Sequence, residues 1–133
     1  MGLSTHVLDT VNGCPAVGMT VTLYRIREGQ AEPVRTVVLN RDGRTDGPLY
    51  ADGELLAGTY RLSFAVADYF RARGVDLPEP PFLDVVNLDF GVAHPEQHYH
   101  VPLLTSPWTY STYRGSGACL LYTSDAADDT PCV

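Results

Sequence analysis

Apolar and polar residues alternate along most of this chain with a period of two, the spacing that sends successive side chains to opposite faces of a β-strand. The cleanest case runs over residues 59–66, where Tyr60, Leu62, Phe64 and Val66 line one face. Residues 3–8, closed by Asp9, and residues 19–26 and 34–39 repeat the pattern and are rich in β-branched types. Residues 82–92, 98–103 and 108–113 complete the set. Between these runs stand Asn12-Gly13 with Cys14-Pro15 and Gly18, the polar residues 28–33, the loop residues 40–48 and the turn His94-Pro95-Glu96. Only residues 68–74 suit a helix, with Asp68 as its N-cap and Gly74 as its stop, and Pro78, Pro80 and Pro81 forbid its continuation. Seven to eight short strands separated by turns, with one short helix, predict an all-β sandwich.

The alternation stops near residue 116. The segment 117–133 has no strand period beyond Tyr122, contains Asp125, Asp128 and Asp129, and contains no lysine or arginine. The expected organisation is one folded domain over residues 1–116 and a disordered or foreign tail over 117–133. Just before that boundary, residues 98–116 hold two histidines, three tyrosines, a tryptophan and an arginine in nineteen positions. Period two places Tyr99, Val101 and Leu103 on the core face and His98, His100 and Pro102 on the other. Stability has little use for two imidazoles side by side on an outer sheet face, so function is expected there.

Composition narrows the classes. With 133 residues, 44% hydrophobic, the chain suits one folded domain rather than a disordered one. A net charge of −7 argues against nucleic acid and anionic membranes as partners. Three cysteines, Cys14, Cys119 and Cys132, form no metal or redox spacing and suit a reducing compartment. No basic and apolar leader pattern follows Met1, and no apolar run reaches membrane-spanning length, so the expected setting is the cytoplasm.

Of the four histidines, His94 reads as a solvated loop residue and His6 as a lone strand histidine, a type more often structural than chemical. The His98-x-His100 pair has the spacing of many metal sites, but no neighbouring carboxylate or thiolate motif offers a third ligand, so no metal is expected. Arg44, between Gly43 and Gly47-Pro48, would present a planar fork of donors to a flat, oxygen- and nitrogen-rich ligand. Nucleophile elbow, phosphate loop and dinucleotide fingerprint are all missing from the sequence.

Taken together, Leu3-Ser4-Thr5-His6-Val7-Leu8-Asp9, Gly13-Cys14-Pro15-Ala16, Gly43-Arg44-Thr45-Asp46-Gly47, His98 to Leu104 and the closing Tyr113-Arg114-Gly115-Ser116 resemble the 5-hydroxyisourate hydrolase branch of the transthyretin-like family. The resemblance spans residues 3–116. It implies a transthyretin-like sandwich assembled as a homotetramer, a dimer of dimers, whose sites lie on sheet faces covered by a facing subunit. It also implies hydrolytic opening of 5-hydroxyisourate, a step of urate breakdown, without a cofactor. By matching motif, His6, Arg44, His100 and Ser116 are the expected catalytic residues. His6, Arg44, His98, Tyr113 and Arg114 are the expected substrate contacts. A carrier of a small aromatic ligand and a non-catalytic sandwich module are the competing readings of the same fold.

Overall fold

The computed structural model describes residues 2–50 and 53–115. Ser116 and the segment 117–133 lie outside them, so the expected tail and the domain boundary are not addressed by it. Eight strands and one helix follow one another as β1 (Leu3–Asp9), β2 (Cys14–Pro15), β3 (Thr20–Arg27), β4 (Gln30–Val38), β5 (Gly58–Ala65), α1 (Val66–Ala72), β6 (Val85–Val92), β7 (Tyr99–Thr105) and β8 (Tyr110–Thr112). Two four-stranded sheets form, one in the order β2-β1-β7-β8 and the other β4-β3-β5-β6. The all-β sandwich expected from the alternation is the fold observed.

Burial along β1 alternates without exception, with Leu3, Thr5, Val7 and Asp9 inside and Ser4, His6 and Leu8 only half covered. Tyr99, Val101 and Leu103 of β7 join them in the core, facing Val21 and Leu23 of β3, Tyr60, Leu62 and Phe64 of β5, and Val86 and Leu88 of β6. Helix α1 closes one end with Val66, Ala67, Tyr69 and Phe70 buried. The inward carboxylate of Asp9 is fully buried. It accepts hydrogen bonds from Val11 N, Asn12 N, Asn12 Nδ2 and, at 2.7 Å, the Tyr69 hydroxyl. Burial alone would raise its pKa, but these donors together hold it below the usual carboxylate value. The same bonds tie the β1–β2 turn to α1.

Several boundaries differ from the sequence reading. Residues 28–33 are not a loop: only Glu28 and Gly29, with φ of 51° and 77°, turn the chain, and Gln30 already pairs with Arg27. The sequence reading, which starts this strand at residue 34, missed its first part because β4 is an edge strand exposed along nearly its whole length. Pro33 is tolerated there because the register shifts opposite Leu23 and Tyr24, and an edge strand does not need every N–H. The helix starts at Val66, two residues before Asp68, which therefore sits in the first turn and is not the N-cap. Strand β6 begins at Val85 rather than residue 82, after the proline-rich bend. Strand β8 is three residues long; Trp108 belongs to a turn, in which Ser106 Oγ accepts from Trp108 N and Thr109 N. Cys14-Pro15, read as a break, pairs with Leu8 and Asp9 as β2.

One pairing has no local signature. Strands β1 and β7 lie parallel, with Ser4 opposite His100, His6 opposite Pro102 and Leu8 opposite Leu104. Parallel neighbours need a long connection, and here it is most of the chain.

Candidate active site

The parallel register collects the polar residues. Ser4, His6 and Leu8 share the outer face of β1, and His100, Pro102 and Leu104 share that of β7, so Ser4 and His6 stand directly beside His100 and Pro102. His98 precedes β7 by one residue and keeps the same parity, within reach of Ser4. Ser4 Oγ lies 3.0 Å from His98 Nε2 and 2.8 Å from His100 Nδ1. The amide of Gly2 donates to His98 Nδ1 at 3.1 Å. Ser4 went unnoticed as a chemical residue in the sequence, although the Ser-x-His spacing of β1 places it on the face of His6.

Arg44 is delivered by a loop. Its backbone forms an isolated antiparallel bridge with His6. Asn40 shapes the loop: its side-chain oxygen accepts from Asp42 N and Arg44 N, and its backbone N–H donates to Arg44 O at 2.8 Å. Gly43 lets that loop close against β1. Its φ is +73°, its carbonyl accepts from Val7 N at 3.0 Å, and a Cβ there would meet Val7 O at 2.7 Å. Only glycine fits both demands.

The three site histidines are all pushed toward neutrality. His100 is 6% exposed, and its pKa is lowered to about 4 by burial first, then by Arg44, His6 and His98. Burial and then Arg44 also lower His6, opposed by the nearby Asp42. His98 is lowered chiefly by burial. The Arg44 guanidinium makes no hydrogen bond or ion pair among the described residues. A fixed positive fork beside two neutral imidazoles is a place for a planar, electron-rich ligand, with one ring able to take a proton.

Arg114 goes elsewhere. The pairs Leu103–Thr112 and His100–Gly115 share one antiparallel offset, which puts Arg114 opposite Val101 on the core side of β7. Its guanidinium lies 4.0 Å over the ring of Tyr99 and donates to Gln97 Oε1 at 2.9 Å and His98 O at 3.3 Å. With Tyr113, it borders a cavity of about 300 Å³ between β6 and β7, lined also by Leu88, Phe90 and Val101. Tyr113, 43% exposed, falls opposite Pro102 by the same offset, at the rim between the two sides. His94 sits apart, exposed beside Glu96. Among the described residues no three histidine, cysteine or acidic side chains converge as a metal site.

A family model described as "HIUase/Transthyretin family" matches residues 3–115, which is nearly all of the described chain. The chain belongs to this family. Within it, the chain is 57% identical over 114 residues to a 5-hydroxyisourate hydrolase of Ralstonia nicotianae, covering 86% of this chain and 97% of that one. A solved (S)-allantoin synthase matches with a TM-score of 0.82 and 47% identity, over 86% of this chain but only 43% of that longer protein. The Klebsiella pneumoniae 5-hydroxyisourate hydrolase structure matches with a TM-score of 0.71 and 35% identity, over 87% of this chain and all of that one. The HIUase/transthyretin assignment agrees with the sandwich and the strand order described above.

Proposed function

We propose that this protein is a 5-hydroxyisourate hydrolase that acts in urate breakdown. The carrying observation is the convergence of His6, Arg44 and His100 on one outer sheet face, in a chain 57% identical to a named 5-hydroxyisourate hydrolase. The substrate is a flat, oxygen-rich ring that suits the fork of Arg44. Water is a poor nucleophile at neutral pH, and a neutral histidine takes its proton as it adds to the ring amide carbonyl. Arg44 stabilises the charge that develops on the carbonyl oxygen. The C–N bond then breaks, the ring nitrogen receives a proton, and 2-oxo-4-hydroxy-4-carboxy-5-ureidoimidazoline is released. His6 and His100 divide the work between accepting the proton and orienting the reactants. General-base assistance of this kind contributes about 10²–10⁴-fold.

The remaining parts of the reading are proposals on the same footing. Ser116 completes the site, Tyr113 borders it, and no cofactor takes part. The protein works in the cytoplasm as a homotetramer, a dimer of dimers in which a facing subunit covers the histidine face and excludes water. No helix among the described residues is long and apolar enough to cross a membrane. A carrier of a small aromatic ligand would favour an apolar lining, whereas His6, Arg44 and His100 are polar. Following the loss of freshly made 5-hydroxyisourate with and without the protein tests the reading: acceleration is expected, and decay at the spontaneous rate overturns it.

A further inference from the structure

The hydrogen bonds around Ser4 have a direction that nothing in the proposed reaction requires. The donor at the start is the backbone amide of Gly2, which can only donate, so the His98 Nδ1 it reaches at 3.1 Å must accept. A neutral His98 therefore carries its proton on Nε2 and donates it to Ser4 Oγ at 3.0 Å. The Ser4 hydroxyl, having accepted from His98, still has its own proton to give, and His100 Nδ1 stands 2.8 Å away to take it. His100 is then left protonated on Nε2, which carries no partner among the described residues. Reversing the His98 tautomer would set two N–H groups against each other at Gly2.

We propose that Ser4 is a positioning residue, which relays the polarity of the Gly2 amide through His98 and so fixes His100 as a hydrogen-bond donor toward the substrate. This rests on the hydrolase reading and divides its labour. His100 offers an N–H to the carbonyl oxygen, alongside Arg44. His6, on the same face, is left to act as the proton acceptor. The parallel pairing of β1 with β7 makes the arrangement possible, because it sets Ser4 directly opposite His100.

The test combines a spectrum with kinetics. In ¹⁵N-histidine-labelled protein at neutral pH, both His98 and His100 are expected as the Nε2–H form. In Ser4→Ala, His100 is expected to become a mixture of tautomers, with kcat down about tenfold, KM nearly unchanged and the melting temperature kept, since one orienting hydrogen bond is lost. Ser4→Thr retains the hydroxyl and is expected to restore the single tautomer and most of the rate. Finding His100 protonated on Nδ1 in the unaltered protein overturns the proposal, as does a Ser4→Ala enzyme with normal kcat. A protein that leaves 5-hydroxyisourate untouched yet shows both rings in the Nε2–H form sinks the hydrolase reading alone.

Discussion

Arg44 is the residue on which the proposed chemistry depends most and the fold least. Its side chain is exposed and unpartnered among the described residues, while its backbone bridge to His6 survives any side chain. Arg44→Ala is therefore expected to lower kcat/KM for 5-hydroxyisourate by about 10²-fold or more, as loss of an oxyanion donor does, with the melting temperature within a degree or two. Full activity in that folded variant would remove Arg44 from the site. Histidine titration gives a second expectation. Because His6 must be neutral to accept a proton as assigned, turnover should rise with pH below 6.5 and level off above it. Stability follows the same sense. His100 has a folded pKa near 4, below its unfolded value of 6.5, so the unfolded chain binds protons first as pH falls. Its contribution is complete above 6.5 and is lost between there and about 4. Denaturant melts across that window should show the slope, and His100→Gln should flatten it.

At the level of elements, the loop from Asn40 to Arg44 and the strand pair β1–β7 carry the site together. Gly43 is the joint between them. Gly43→Ala forces a left-handed residue onto a β-carbon and sets that carbon against the Val7 carbonyl at 2.7 Å. The strain alone costs about 1–2 kcal/mol, and the loop must move off β1, taking Arg44 with it. Gly29→Ala makes the fair comparison, with φ of +77° but open space around the new methyl. Both variants should melt several degrees lower, and only Gly43→Ala should also lose turnover.

These elements differ in how far the sequence discloses them. Strands β1, β3 and β5 were legible because each buries one face more deeply than the other; β7 was legible because Tyr99, Val101 and Leu103 alternate with His98, His100 and Pro102, although both of its faces are covered. Strand β4 was cut short because an exposed edge writes no alternation, and Trp108 looked like strand because an aromatic in a turn has strand-like neighbours. Arg114 shows the limit for the site: its place on the core side of β7 depends on an antiparallel offset that no local pattern states. Ser4 was hidden for a related reason, since its value comes only from lying opposite His100 across the parallel pair.

The whole molecule presents the histidine face to one side of the sandwich. A single sheet face does not exclude water, and the proposed mechanism gains from a dry site in which Arg44 and the imidazoles act at low dielectric. The facing subunit of the proposed tetramer supplies that cover. Sedimentation should therefore find four copies at assay concentration, and specific activity should fall on dilution as they separate. Activity that persists undiminished in a single-copy species would show that the face works uncovered.

The parallel seam between β1 and β7 also has a meaning in time. Ser4 and His100 stand 96 positions apart, with almost every other strand made between them. A ribosome adding about 5–20 residues per second completes the second half of the seam some 5–20 s after the first. During that interval β1 has its short hairpin with β2 but no β7 beside it. The histidine face thus comes together only after β3 to β6 have been made, and a nascent chain released before β7 forfeits chemistry before it forfeits the β3–β5 sheet.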